Sequence, residues 1–166
     1  MIPKRHRKPV DDGEFSDPLK NYDIAKAQDE LERALCDGVI RDLSISPFCS
    51  VSPISTIEQA VRKMAGMNIG CLLVIENDKL VGIFTQRDLL MKVIDNFEAM
   101  KGKLIREVMT PDPVVVRDTD SPAKAINLMA TGGFRHIPVL DVDDKVVGLI
   151  GPRRTTEYLQ MHLPTG

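Results

Sequence analysis

The chain has 166 residues, 43% of them hydrophobic and 28% charged, with a formal net charge of −2. That is one ordinary domain plus a tail, and residues 40–166 are close to neutral, so no polyanion-binding field covers the folded part. No apolar run approaches the roughly eighteen residues of a membrane span, the N-terminus lacks a signal peptide's apolar core, and the widely spaced Cys36, Cys49 and Cys71 fit reduced thiols in a cytoplasmic protein.

Residues 1–22 form a polar, proline-bearing segment that reads as a mobile arm. Its basic cluster Lys4-Arg5-His6-Arg7-Lys8 is followed at once by Asp11, Asp12, Glu14 and Asp17, which cancel it. A solvated tail is therefore favoured over a nucleic-acid-contacting arm. Within residues 23–39, Ile24, Ala27, Leu31 and Leu35 make one helical stripe that Asp37-Gly38 ends. That helix either packs on its own domain or serves a dimer interface or partner.

Residues 40–99 form a first unit, with a short strand near Val51. Ser55 and Glu58 have capping-box spacing, and Ile57, Ala60, Val61 and Met64 then share a helical face. The continuous apolar run 71–75 predicts a strand buried on both faces, Asn77-Asp78 a turn, and 80–84 a second strand. A helix is predicted over 86–96, with Leu89, Leu90, Val93, Ile94 and Phe97 on its apolar side, then a charged loop over 98–103. Residues 104–163 repeat the order. A short strand lies near 114–116, Ser121-Pro122 starts a helix, 137–140 and 146–150 are strands, and Pro152 opens the last helix. Thr131-Gly132-Gly133 lacks phosphate-loop spacing and fits a helix end.

The order recurs because the sequence does. At an offset of sixty-five, Ile40-Arg41-Asp42-Leu43 falls on Ile105-Arg106-Glu107-Val108, and Met64-Ala65 on Met129-Ala130. One extra residue, placed near Thr131, then moves the offset to sixty-six, which sets Val81-Gly82 on Val147-Gly148. A unit of about sixty residues buries too little surface to be secure alone, so two stacked units sharing one core are expected: a single α/β domain built as a pseudo-twofold pair.

The element order, the turn at Gly82 leading to Thr85-x-x-Asp88, the run Arg135-His136-Ile137-Pro138-Val139-Leu140-Asp141 and the lead-in Glu107-Val108-Met109-Thr110-Pro111 resemble a tandem pair of cystathionine-β-synthase (CBS) domains, a Bateman module. The resemblance covers about three quarters of the chain. It implies an α/β (α+β) fold of two CBS repeats, each a small sheet with packed helices, and favours a homodimer.

Thr85 and Asp88 explain themselves as a capping box at a strand-to-helix junction. The resemblance implies a second role, in which Asp88 and Thr85 hold the ribose hydroxyls of an adenine nucleotide or related adenosyl compound. It likewise implies phosphate contacts from Arg135 and His136, and a base enclosed by Ile83 and Ile137 with room left by Gly70. In the second copy Gly151 and Arg154 replace Thr85 and Asp88, and arginine has no acceptor for a diol. A matching ribose site is not expected there, and Arg153 and Arg154 supply accessory charge.

No catalytic constellation or metal-ligand spacing stands out, so the expected function is not enzymatic. The expectation is a regulatory module that binds AMP, ADP, ATP, S-adenosylmethionine or NAD between its repeats, needs no obligatory cofactor, and modulates a separate effector protein. The alternatives are an unliganded structural or interaction scaffold and a nucleic-acid-linked regulator using the basic arm.

Overall fold

The computed structural model describes residues 30–43, 45 and 47–163. The expected mobile arm 1–22, its basic cluster, residues 23–29 of the expected helix and the Pro164-Thr165-Gly166 end lie outside the described residues. Helix α1 (Glu30–Asp37) and a 3₁₀ turn (Ile40–Asp42) precede the first repeat: β1 (Ser50–Val51), α2 (Ile57–Met67), β2 (Cys71–Glu76), β3 (Lys79–Thr85), α3 (Gln86–Lys92) and α4 (Phe97–Met100). A 3₁₀ turn (Ile105–Glu107) leads through β4 (Thr110–Pro111) into the second: β5 (Val116–Arg117), α5 (Pro122–Gly132), β6 (Ile137–Leu140), β7 (Val146–Ile150) and α6 (Pro152–His162). The strands form sheets ordered β1-β2-β3-β4 and β5-β6-β7. In each, a parallel pair (β1–β2, β5–β6) is followed by an antiparallel one (β2–β3, β6–β7).

Local chemistry explains where elements begin and end. Helix α2 is capped by Thr56 rather than Ser55: the Thr56 hydroxyl accepts the Gln59 N–H at 3.2 Å, and Gln59 Oε1 accepts the Thr56 N–H at 3.0 Å. Glu58, expected to complete the box, pairs with Arg62 one turn on. Ser121 caps α5 and Pro122 fills its first turn, as the spacing predicts. Gly133 ends α5 at φ 66°, a left-handed conformation in which glycine has no Cβ penalty. The extra residue of the second repeat lies after Gly133, in the helix-to-strand connection, and not near Thr131. Connections absorb insertions that helices do not. The helix expected over 86–96 stops at Lys92: Val93 turns into the core, the chain tightens into a 3₁₀ turn (Ile94–Asn96), and α4 occupies part of the expected loop.

Among the described residues there are three clusters instead of one shared core. In β2 and β3, Leu72, Val74 and Phe84 face α2, while Cys71, Leu73 and Ile83 face the other way and meet Val146 and Leu149 of β7. The two sheets thus touch back to back, and each keeps its own core under its helices. Each private core is completed by the lead-in of the other repeat. Ile105 and Val108 sit in the first repeat's cluster, and Ile40 sits in the second's. The backbone bonds obey the same exchange. Ile40 N–H donates to Asp120 O and Arg41 N–H to Asp118 O, while Ile105 N–H donates to Ser55 O and Arg106 N–H to Pro53 O. The repeats are interlocked as well as stacked.

Helix α1 packs against α5 and α6, and the Tyr158 hydroxyl donates to the Ala34 carbonyl at 2.7 Å. Burial and the nearby Asp42 push the Tyr158 hydroxyl's pKa up, so it remains a donor. At Gly82 on β3, an added Cβ would lie 2.4 Å from Met109 Sδ and 3.1 Å from the Thr110 carbonyl, so β4 approaches closely only because that Cβ is missing. Gly82→Val is expected to lower stability by about 1–3 kcal/mol in urea unfolding. Unchanged stability would mean that β4 docks elsewhere.

Candidate functional site

The junction of β3 and α3 presents Thr85 and Asp88 as a complete capping box. The Thr85 hydroxyl accepts the Asp88 N–H at 3.2 Å and donates to Asp88 Oδ2 at 2.6 Å, while the Thr85 N–H donates to the same oxygen at 2.9 Å. The other oxygen, Oδ1, accepts from Lys92 Nζ at 2.7 Å and from the Thr110 hydroxyl at 3.0 Å. Lys92 also donates to the Val108 carbonyl at 2.8 Å. Asp88 is the one buried charged residue among those described. Burial pushes its carboxyl pKa up, but hydrogen bonds from Lys92 and Thr85 outweigh that and hold it below the ordinary value. The carboxylate is therefore ionised at neutral pH.

The equivalent junction of β7 and α6 behaves differently. Gly151 stands at the N-cap with no side-chain bond to the helix, and Arg153 and Arg154 follow Pro152. Both arginines pair with Glu157, at 2.9 and 2.8 Å. An open cavity of about 410 Å³ faces this junction, within the usual size of a small-molecule site. Its walls come from both repeats: Phe48, Cys49 and Asn68–Cys71 of the first, and His136, Leu149 and Gly151–Arg154 of the second. No carboxylate is among these lining residues, so the wall carries only positive charge. A second cavity, of about 460 Å³, lies on the other side of Arg154 and includes Glu157, Tyr158 and Met161.

Two glycines let the repeats close around His136. A Cβ on Gly70 would lie 3.1 Å from His136 Cε1, and one on Gly151 would lie 3.6 Å from His136 Cδ2. Gly70 also touches the first junction, since its carbonyl accepts the Gln86 N–H at 3.0 Å. Gly70 and His136 thus stand between the two strand-to-helix junctions, on the pseudo-twofold boundary.

The expected site residues divide accordingly. Gly70, His136, Arg153 and Arg154 meet in the cavity wall, whereas Thr85 and Asp88 lie beyond Gly70 at the other junction. Arg135 is exposed just ahead of β6, with its carbonyl 3.5 Å from where a Gly151 Cβ would be. Ile83 packs between the sheets, and Ile137 is fully buried in the second repeat's core. Sequence reasoning missed Lys92 and Thr110. The i,i+4 spacing from Asp88 signalled the lysine, but nothing short of strand register signals the threonine. Cys49 and Cys71 in the cavity wall were missed too. Burial and Cys49 push the Cys71 thiol up to about 12, which removes it as a nucleophile at neutral pH.

Burial, with help from Arg135, lowers the pKa of His136 below its ordinary 6.5. The folded protein prefers the neutral ring, so this stabilisation is complete above pH 6.5 and is lost as pH falls from there through the folded value. Melting temperature is expected to drop between pH 7.5 and 5 in the parent and to drop less in His136→Gln. Equal slopes in the two proteins would dissociate His136 from the acid response.

Comparison with known proteins places this arrangement. A family model described as the CBS domain matches residues 40–95 and 105–159, which are the two repeats. The chain belongs to the CBS domain family. Among curated CBS relatives, it is 35% identical over 132 residues to CBS domain-containing protein CBSCBSPB1 of Arabidopsis thaliana, covering 80% of this chain and 24% of that protein. It is 33% identical over 110 residues to inosine-5'-monophosphate dehydrogenase of Methanocaldococcus jannaschii, covering 66% of this chain and 21% of that enzyme. The chain thus spans about a quarter or less of the length of these curated relatives. Among solved CBS structures, NE2398 aligns with a TM-score of 0.66 at 31% identity, over 72% of this chain and 94% of that one. The structure of CBSX2 in complex with AMP aligns with a TM-score of 0.66 at 27% identity, over 74% and 96%.

Proposed function

We propose that this CBS pair is a regulatory sensor that holds an adenine nucleotide in the cleft between its repeats and passes occupancy to a separate effector protein. The observation that carries this reading is the 410 Å³ cavity built from both repeats, walled by His136, Arg153 and Arg154 without a carboxylate. A ligand in it would touch both repeats at once, so its affinity would depend on their relative placement, which is what switching requires. In this reading Asp88 and Thr85 take the ribose hydroxyls and Arg135 and His136 the phosphate, with Arg153 and Arg154 as accessory charge. Gly70 lies beside the base, while Ile83 and Ile137 back the wall from the buried clusters behind it. The AMP in the CBSX2 structure supports an adenine nucleotide as the ligand class.

A second copy of the chain fits the exposed apolar side chains Leu90, Met91 and Ile94 around α3 and Met161 on α6, which favour a homodimer. Among the described residues, no helix is long and apolar enough to cross a membrane, and no group of three or more His, Cys, Asp or Glu is placed to hold a metal ion.

One observation favours the scaffold reading instead: every acceptor position of Asp88 is already filled from within the chain. A thermal-shift screen of AMP, ADP, ATP, S-adenosylmethionine and NADH separates the two. Ligand at a hundred times its Kd is expected to stabilise the sensor by about 2.7 kcal/mol, a shift of several degrees. No shift with any compound would leave Asp88 as a helix cap and the module as a scaffold.

A further inference from the structure

The carboxylate assigned to ribose in the nucleotide reading is saturated before any ligand arrives. An ionised carboxylate has about four acceptor positions. Oδ2 takes the N–H and hydroxyl of Thr85, and Oδ1 takes Lys92 and Thr110. A vicinal diol brings two donors, so two of these four must leave. The Thr85 pair caps α3, whose seven residues have little else to hold their first turn. The Oδ1 pair is easier to displace. The Lys92 side chain is 42% exposed, so its ammonium can return to water. Thr110 belongs to a two-residue strand held to β3 by the Gly82–Pro111 and Ile83–Thr110 pairs and by a long Asp112 N–H to Val81 carbonyl bond of 3.4 Å.

Resting on the nucleotide reading, we infer that Lys92 and Thr110 are built-in competitors of the diol. They set the affinity threshold at Asp88 and tie occupancy to the inter-repeat segment. When a diol takes Oδ1, Lys92 gives up Asp88, and the ammonium that also holds the Val108 carbonyl is drawn off. Thr110 loses its side-chain tether in the same event. Ligand binding thereby loosens α3 from 108–111, the stretch that docks the second repeat's lead-in on the first repeat's sheet. Lys92 is a specificity-determining residue in this arrangement, although it lines neither of the two cavities described above.

The test is a calorimetric titration of AMP and of 2′-deoxy-AMP, which lacks the diol, into the full chain and into Lys92→Met and Thr110→Val. A hydrogen bond to a charged group, once removed from the unliganded state, is expected to tighten AMP binding about tenfold in Lys92→Met. A smaller gain is expected in Thr110→Val, and 2′-deoxy-AMP should gain little in either. Amide exchange at 108–112 should speed up when AMP binds the parent. Equal AMP affinity in parent and both variants, or weaker binding in Lys92→Met, overturns the competition and leaves the nucleotide reading standing. Absence of AMP binding in all three proteins overturns both. Thr110→Val is nearly isosteric, so it keeps the test decisive if the lysine variant folds poorly.

Discussion

Replacing either Ile40 or Ile105 with alanine is expected to destabilise the whole domain by about 2–5 kcal/mol, the range for emptying a fully buried isoleucine site. Both side chains have no exposed surface, and each fills the core of the repeat it does not belong to. At this chain length the loss corresponds to a fall in Tm of roughly 5–15 °C. The informative part is the shape of the transition. Because the lead-ins are exchanged, removing Ile40 damages the second repeat and removing Ile105 the first, yet each repeat also anchors the other's lead-in. A single lowered transition is expected in both variants by calorimetry and by far-ultraviolet circular dichroism. Two separated transitions, one of them at the parental temperature, would mean that the repeats unfold independently.

The second large effect is at Asp88. Asp88→Ala removes the N3 partner of the Thr85 cap and strands Thr110 and Lys92. Loss of a cap costs about 1 kcal/mol, and leaving a partly buried donor unpaired adds about 1–3. A drop of about 2–4 kcal/mol in urea unfolding at pH 7 is therefore expected, discounted at the lysine because its ammonium reaches water. The carboxyl's folded pKa lies below its ordinary 3.8, so its contribution is complete above that pH and fades as pH falls through the folded value. The parent should lose its advantage over Asp88→Ala in strong acid. A difference that persists unchanged at pH values well below 3.8 would point to packing rather than charge.

Much of this fold could be read from the chain because the repeat states each element twice. Strand β6, the Pro152 start of α6 and the Gly133 helix end follow from apolar runs and special residues, and they lie where those signals put them. The exchange of lead-ins could not be read. A duplicated sequence has the same periodicity whether Ile40 packs on its own repeat or on the other, and only three-dimensional closure decides. The one-residue error at Thr56 has a similar origin: Ser55 and Thr56 are both good caps, and Gln59 is as able as Glu58 to close the box. The expected helix ends at Val93, whose backbone leaves the helical region at φ −124° while its side chain stays in the core and the chain tightens into the 3₁₀ turn.

At the site, the offset between copies sets His136 on Gly70 ahead of equivalent strands, but their contact across the repeat boundary emerges only from the structure. Of the partners of Asp88, only Lys92 left a signal, its i,i+4 spacing, and for a physical reason that signal is weak. Lys92 looks like any surface lysine one turn along, and Thr110 arrives through a two-residue strand that no alternation pattern announces. Those two residues decide how available the carboxylate is, so the chemistry of the site depends on a contact between repeats that neither copy encodes alone.

The most direct measurement is a backbone amide chemical-shift map of the isotope-labelled protein titrated with AMP. A nucleotide between the repeats predicts saturable shifts at Phe48–Cys49, Asn68–Cys71, His136, Leu149 and Gly151–Arg154, which wall the cavity, and at Thr85–Asp88, where the ribose would be held. Saturating shifts confined to residues outside these stretches, or none at millimolar AMP, would contradict it.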